Sequence, residues 1–289
     1  MKLSLNAPAK INWFLSVLDK RDDGYHNILS AMQGVDLFDR LYFEDDEKIA
    51  LISDLDVRAE ENLVFKAAVM LKRYSSYPGG ARIILEKEIP VAAGLGGGSS
   101  DAAYTLIGLN RLWGLNLKNA ELAKMASEIG SDVPFFIGGP FSIVSGKGEK
   151  VEDIEMKSSA AVLLVKPDIS ISAAWAYNSF KTTLTKKSVD IKLFCLTLEN
   201  RDFASLRQMI FNDLERAVVG KYQTVAEIKK MLRENGAVIS SMSGSGPTVF
   251  GVFNSVEEAV RASVNMGDNW CRVVRTLRSN DKLQTGNSE

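Results

Sequence analysis

The sequence has few of the side chains that build metal centres and nucleophile sites. Its 289 residues include one histidine, His26, and two cysteines, Cys195 and Cys271, which share no Cys-x-x-Cys spacing. A single histidine excludes His-Glu-x-x-His and all other multi-histidine metal sites. A Ser-His-Asp hydrolase would have to use His26, which has no nucleophile elbow near it. Two cysteines provide no disulfide framework, as is usual in a reducing compartment. The sequence therefore predicts no metal site built from histidines or cysteines.

Excess charge and long apolar runs are also absent. Lys and Arg number 35 and Asp and Glu 36, a net charge of -1, so neither nucleic acid nor an anionic membrane is indicated as a partner. No run of about 18 apolar residues suggests a membrane span. The chain reaches patterned sequence at once, and we expect no signal peptide, a cytoplasmic location, and a monomer or weak homodimer. The length favours two packed domains.

Hydrophobic patterning in the first half predicts strands followed by helices. Alternation over 2–7 and the apolar run 11–18 predict two strands, with a turn at 21–24. A strand over 82–89 is closed by Pro90, and a helix is predicted over 99–113. A glycine-rich segment joins this strand to this helix, which makes it the most informative stretch of the sequence.

The second half follows a different order. The pattern predicts strand 160–165, helices 173–180, 191–196, 203–210 and 221–235, a hairpin over 237–253, helix 256–266 and strand 271–277. Without the extra helices this is β-α-β-β-α-β, the split βαβ or ferredoxin-like order. We therefore predict an α+β fold of two domains, 1–155 and 156–289, divided within the charged stretch 152–157.

The glycine-rich segment has the features of a phosphate-binding loop. Four glycines between 94 and 98 leave backbone N–H groups open to an oxyanion, and the following helix adds its positive dipole end. No lysine follows as in a Walker A loop, and Ser99 breaks the dinucleotide fingerprint. A flexible linker would not join an apolar strand to an alanine-rich helix. Asp101 would repel phosphate, and we expect it to face away. The predicted ATP-binding residues are Pro90, Gly94, Leu95, Gly96, Gly97, Gly98, Ser99 and Ser100.

Three motifs resemble those of the GHMP kinases and occur in the same order. They are Asn6-Ala-Pro-Ala-Lys-Ile-Asn12, the loop at 90–100, and Ser241-Met-Ser-Gly-Ser-Gly-Pro-Thr248. Within that superfamily, residues 8–15, 21–26 and 129–136 are similar to the diphosphocytidyl-methylerythritol kinases. The resemblance implies a ribosomal-S5-like N-terminal α/β domain and a ferredoxin-like C-terminal domain. It also implies transfer of a phosphate from ATP, with Mg²⁺, to the 2-hydroxyl of diphosphocytidyl-methylerythritol in non-mevalonate isoprenoid synthesis.

The same resemblance implies roles for particular residues. Asp132 matches the acid that orients and deprotonates the acceptor hydroxyl, and Lys10 matches the lysine beside it. Asn12, Tyr25 and His26 match positions that hold the cytidine end of the substrate. Tyr177 aligns loosely with an aromatic residue that packs against the cytosine. Gly244 and Ser245 are predicted to let the backbone approach phosphate and substrate.

Each of these residues also has a plain structural alternative. Asp132 before Val133-Pro134 is common turn chemistry, Lys10 suits an edge strand, and His26 suits a loop. Residues 243–246 also suit a hairpin turn, and Lys147 suits a surface hairpin as well as a phosphate contact. Two other functions stay open: another GHMP kinase, acting on homoserine or a mevalonate-type alcohol, and an inactive nucleotide sensor.

Overall fold

The computed structural model describes residues 2–55, 57–180 and 188–281, and the backbone of 285–286. Its strands are β1 (Lys2–Lys20), β2 (His26–Asp46), β3 (Ala50–Ser53), β4 (Gly80–Glu86), β5 (Phe141–Gly146), β6 (Lys150–Asp153), β7 (Ala161–Lys166), β8 (Ile239–Met242), β9 (Val249–Phe253), β10 (Trp270–Arg275) and β11 (Thr285–Gly286). Its α-helices are α1 (Leu63–Ser75), α2 (Gly97–Leu112), α3 (Asn119–Ile129), α4 (Ala173–Ser179), α5 (Ile191–Glu199), α6 (Phe203–Leu206), α7 (Glu215–Lys221), α8 (Gln223–Glu234) and α9 (Val256–Ser263). Short 3-10 turns occupy Ala59–Glu61, Pro134–Ile137 and Arg207–Met209.

The first sheet is organised around the long strand β2. Its strand order is β11-β1-β2-β4-β3, and β5 pairs with the other half of β2 and with β6. The prediction of two strands over 2–7 and 11–18 is wrong, because β1 runs unbroken along β2. Register shifts at Pro8/Ala9, Asn12/Phe14 and Val17/Asp19 absorb the breaks in alternation. Helices α1, α2 and α3 cover one buried face of this sheet.

The second sheet has the order β10-β7-β9-β8, and every neighbouring pair in it is antiparallel. The ferredoxin-like order predicted from the sequence is confirmed by this arrangement. The helix predicted over 221–235 is confirmed as α8, and the chain adds a helix that the pattern did not predict, α7, which is separated from α8 by Tyr222 with φ -125° and ψ 85°. Those angles lie outside the helical region and end the first helix.

The two sheets share a buried layer. One hydrophobic cluster contains Ile11 and Trp13 from β1 together with Val162 and Phe250 from β7 and β9, and the Trp13 and Phe250 rings meet edge to face at 6.0 Å. The predicted boundary at 155/156 falls between β6 and β7 and stays a prediction. Strand β1 therefore runs along the junction of the sheets. Within the described part of the chain no helix is long and apolar enough to cross a membrane.

Candidate active site

A cleft of about 820 Å³ opens at this junction. Its walls come from β1, the glycine loop, α4, the segment 131–132 and the turn 244–245. Among the predicted site residues, only Leu95 and Ser100 do not line it. The volume lies within the 300–1,000 Å³ range of small-molecule sites. Segments that are far apart in sequence therefore meet around one cavity.

The glycine loop turns sharply into α2. Gly94 and Gly96 have φ of +75° and +73°, conformations that favour glycine. Helix α2 begins at Gly97, two residues before the predicted start, and Ser99 lies in its first turn facing the cleft. The unpaired N–H groups and the positive dipole end of a 16-residue helix therefore meet the cleft. The geometry suits an anion.

Two predicted loop residues turn inward. The Leu95 side chain is buried in the core, while its carbonyl accepts a 2.9 Å hydrogen bond from Lys10 N–H. The Ser100 N–H donates to the Gly96 carbonyl at 2.9 Å, and its buried hydroxyl has no hydrogen-bond partner in the structure. Both residues therefore support the loop from the side that faces away from the cleft.

A buried charge cluster lies beneath the loop, and the sequence reasoning missed it. The Lys87 ammonium bonds to the carboxylates of Asp39 and of Asp101, the latter at 2.7 Å. The other oxygen of Asp39 accepts the N–H groups of Glu88 and Ile89 at 2.7 and 2.9 Å. Burial, with Asp39 nearby, raises the pKa of Asp101. Asp101 and Lys87 both line the cleft, so the expectation that Asp101 faces away from it is wrong; the Lys87 ammonium instead offsets the charge of this carboxylate.

Lys10 is buried with its charge directed into the cleft. Its side chain is 3% exposed and lies 3.5 Å from the Asp132 carboxylate. The ammonium also donates to Asn12 Oδ1 at 2.6 Å and to the Gly94 carbonyl at 3.2 Å. An unpaired buried charge is costly; here two oxygens accept hydrogen bonds from the ammonium, and the Asp132 carboxylate supplies the opposite charge. The edge-strand alternative for Lys10 is therefore excluded.

Asp132 lies between α3 and the 3-10 turn that starts at Pro134. Its side chain is 34% exposed and lines the cleft. Hydrogen bonds fix the segment, since Val133 N–H donates to the Gly130 carbonyl and Phe136 N–H to the Val133 carbonyl. The carboxylate is thus held on a rigid turn, with one face toward Lys10 and another open to a ligand.

The turn after β8 closes the cleft from the second sheet. The Ser243 hydroxyl accepts Asn12 N–H at 3.3 Å and donates to the Gly94 carbonyl at 2.9 Å. A Cβ added at Gly244 would lie 3.1 Å from Lys10 Nζ and 3.2 Å from Asn12 Oδ1. The segment 243–246 is a hairpin turn that also packs against the charged centre, and its approach to phosphate and substrate stays a prediction.

Aromatic rings gather at one end of the cleft. The His26 ring stacks on Tyr177 with centroids 5.8 Å apart and 23° between planes, and Phe180 meets His26 edge-on at 6.4 Å. Tyr25 is 52% exposed, and the Lys147 ammonium lies 4.8 Å from its ring centroid. Burial, with the Asp132 charge, raises the pKa of Tyr177 far above its ordinary value. Tyr25, His26 and Tyr177 line the cleft, and Phe180, which the sequence did not indicate, packs edge-on against His26 outside that lining.

The other end of the cleft is apolar, and no sequence signal identified it. Leu55, Val57, Leu63 and Val91 line it beside the glycine loop. Asn62 caps α1 by accepting Val64 N–H at 2.9 Å and also lines this end. Such a surface suits a flat base better than a phosphate.

The single histidine allows a direct test of the aromatic end. Burial and the nearby Lys20 lower the pKa of His26 below 6.5, so we expect a neutral imidazole at pH 7. Because the unfolded chain binds this proton more readily, stability should fall as the pH drops below about 6.5. One imidazole signal in an NMR titration reports the midpoint, and a midpoint at or above 6.5 would contradict the placement of this ring.

Family models match both halves of the chain. The model described as GHMP kinases N terminal domain matches residues 62–140, and the GHMP kinases C terminal model matches residues 195–270. A 4-diphosphocytidyl-2-C-methyl-D-erythritol kinase of Thermodesulfovibrio yellowstonii is 47% identical over 95% of this chain and 98% of its own length. The chain belongs to this kinase family. A kinase of the same name from Caldanaerobacter subterraneus is 46% identical over 91% of this chain and 92% of its own.

Solved structures of these kinases share the fold. A crystal structure of 4-(cytidine 5'-diphospho)-2C-methyl-D-erythritol kinase superposes with a TM-score of 0.83 at 29% identity, covering 94% of this chain and 98% of that one. A homoserine kinase from Cytophaga hutchinsonii gives 0.74 at 18% identity over 96% and 95% of the two chains, which is a likeness of fold alone. The predictions of a two-domain α+β fold and of an ATP-dependent small-molecule kinase are confirmed.

Proposed function

We propose that this kinase transfers the γ-phosphate of ATP to the 2-hydroxyl of 4-diphosphocytidyl-2-C-methyl-D-erythritol, a step of non-mevalonate isoprenoid precursor synthesis. The observation that carries the proposal is one cleft that joins a glycine loop, the Lys10–Asp132 pair and an aromatic end. Close relatives bear the name of the same reaction. These three features support binding of a triphosphate, a reacting hydroxyl and a second nucleobase in one cleft.

The chemistry follows from positioning and charge. Phosphoryl transfer spreads negative charge over the transferred oxygens, and the N–H groups of the glycine loop together with Lys10 would neutralise it. Asp132 would accept the proton of the acceptor hydroxyl, because its carboxylate is held beside Lys10 yet stays open to the cleft. The apolar end at Leu63 and Val91 would take the adenine of ATP.

Magnesium fits this donor set as the companion of ATP. Within the described residues no group of three or more His, Cys, Asp or Glu side chains could hold a metal, and Mg²⁺ usually relies on water, substrate phosphates and one or two carboxylates. Among the side-chain oxygens that line the cleft, the Ser99 hydroxyl beside the glycine loop and the Asp132 carboxylate are the ones proposed for such a role. When bound, the ion would neutralise phosphate charge. Its ligands, like the monomer or weak homodimer, stay predictions.

The aromatic end gives a prediction about specificity. Tyr25→Ala should raise the KM for the cytidyl alcohol about 10-fold or more, because stacking on an aromatic ring contributes roughly 1–3 kcal/mol per base, while the KM for ATP changes little. Tyr74→Ala is the matched control, since Tyr74 is 55% exposed and lies on α1 outside the cleft. An unchanged KM in Tyr25→Ala would remove this ring from substrate recognition.

A coupled ADP-release assay tests the function itself. The purified chain is given ATP and Mg²⁺ with 4-diphosphocytidyl-2-C-methyl-D-erythritol, homoserine or mevalonate. Turnover on the cytidyl alcohol alone supports the proposal. Turnover on another alcohol would support kinase activity but contradict the assignment of the aromatic end to the cytidine base. No turnover on any of the three would favour a nucleotide sensor.

A further inference from the structure

Asn212 is a buried residue in the link between α6 and α7, outside the cleft lining. Its amide nitrogen donates two hydrogen bonds, to the Met242 carbonyl at 2.9 Å and to the Gly244 carbonyl at 2.7 Å. Its amide oxygen accepts Leu214 N–H at 3.0 Å. Both N–H donors of the side-chain amide thus bond to backbone carbonyls at the turn that closes the cleft.

The same link is also tied to β1, the strand that carries Lys10. Leu15 N–H donates to the Phe211 carbonyl at 2.9 Å, and Asp213 N–H donates to the Leu15 carbonyl at 2.9 Å. The Asp213 carboxylate accepts Val17 N–H at 2.8 Å. The residues on both sides of Asn212 are therefore hydrogen-bonded to β1, and the Asn212 side chain links this segment to the turn at 242–244.

The turn held by Asn212 rests directly on the charged centre. A Cβ added at Gly244 would lie 3.1 Å from the Lys10 ammonium and 3.2 Å from the Asn12 amide oxygen, so a side chain at this position would crowd both. The neighbouring Ser243 hydroxyl links Asn12 N–H to the Gly94 carbonyl, which also accepts the Lys10 ammonium. A shift of this turn would change the positions of the oxygens around Lys10. Helix α2 and the end of the glycine loop that faces an anion pack on the first sheet, and they would stay in place.

We propose that Asn212 is a positioning residue that sets the turn 243–246 against Lys10 and so fixes the acceptor side of the phosphoryl-transfer site. The kinetic part of this inference rests on the proposed function. A remote substitution that displaces the reacting groups by about 1 Å can cost on the order of 100-fold in rate. Loss of the Asn212 amide is therefore expected to lower kcat by about 10- to 100-fold.

Hydrogen exchange tests the placement independently of any substrate. In Asn212→Ala the amides of 243–246 and 248 should exchange faster than in the wild type, because the carbonyls on either side of Ser243 lose their shared donor. Asn110→Ala is the matched control: the Asn110 side chain likewise bonds the Leu117 backbone at 3.0 Å through both amide atoms, but away from the cleft. Unchanged exchange at 243–246 and 248 would overturn the inference, whatever alcohol the enzyme uses.

Kinetics test the functional half, with the alcohol that the wild type phosphorylates. In Asn212→Ala we expect kcat to fall, while the dissociation constant for an ATP analogue stays within about threefold of the wild-type value. In Asn110→Ala we expect a near-normal kcat. Asn212→Asp, which keeps the size and the acceptor for Leu214 N–H but removes the donor, should match the alanine variant and serves if that variant folds poorly. Equal losses of nucleotide binding and turnover, or wild-type kcat in both Asn212 variants, would contradict the proposal.

Discussion

Replacing Asp132 by asparagine is expected to lower kcat by about 10²–10⁴-fold, the usual contribution of a positioned base. The amide keeps the shape of the side chain on its fixed turn, but it cannot receive the proton of the acceptor hydroxyl. It also leaves the buried Lys10 ammonium without the carboxylate that lies 3.5 Å away. Binding of ATP and of the acceptor should persist, since the glycine loop and the aromatic end are unchanged. Steady-state kinetics with calorimetric binding measurements separate the two effects.

Asp168→Asn controls for the loss of a carboxylate. Asp168 is exposed, follows β7 and lies outside the cleft, so its variant should keep wild-type kcat. A near-normal rate in Asp132→Asn would remove Asp132 as the base. A collapse of binding in that variant would instead assign the carboxylate a mainly structural part in holding Lys10.

Gly94→Ala is expected to have the second large effect. Gly94 has φ +75°, and a Cβ added there would lie well under 3.0 Å from the Ser243 carbonyl oxygen and 3.0 Å from Gly246 N. Both neighbours are backbone atoms that no side-chain rotation can move, so the glycine loop and the turn at 243–246 must separate. Displacement on the scale of 1 Å is expected to cost about 100-fold or more in kcat/KM, with weaker binding of ATP.

Gly114→Ala isolates the backbone part of that effect. Gly114 has φ +62° and nothing within 4 Å of an added Cβ. Its variant should therefore lose only the roughly 1–2 kcal/mol of stability that a left-handed conformation costs a residue with a side chain, and it should keep its kcat/KM. Thermal unfolding and kinetics on both variants decide the matter. Equal kinetic losses in the two would show that the contact between the loops is unimportant.

Sequence patterns predicted features that are encoded locally. The strand, glycine loop and helix around 80–112 are continuous in sequence, so hydrophobic periodicity and glycine spacing were enough. The bounds differed: the strand covers 80–86 rather than 82–89, and the helix starts at Gly97 because the glycines themselves form its first turn. The split βαβ order of the second half could be predicted from hydrophobic patterning in the same way. Strand β1 was misread as two because its bulges interrupt the alternation without ending the pairing.

Features that depend on tertiary contact were not predictable in this way. No glycine motif or hydrophobic periodicity marks Asn212 in the sequence. Its two carbonyl partners lie at the end of β8 and in the turn that follows it. The buried cluster of Asp39, Lys87 and Asp101 joins three separate elements. Leu55 and Val57 are ordinary apolar residues until the fold places them beside the glycine loop. Lys10 and Asp132 were assigned by resemblance, since a lysine in a strand and an acid before Val-Pro carry no local sign of partnership.

Phosphorus NMR of the reaction mixture tests the central claim most directly. The purified chain is incubated with ATP, Mg²⁺ and 4-diphosphocytidyl-2-C-methyl-D-erythritol, and the spectrum is followed with time. We expect the ATP signals to give way to those of ADP while one new phosphomonoester signal grows in step and the diphosphate of the acceptor stays intact. Release of inorganic phosphate alone, or ATP that persists unchanged, would contradict the account.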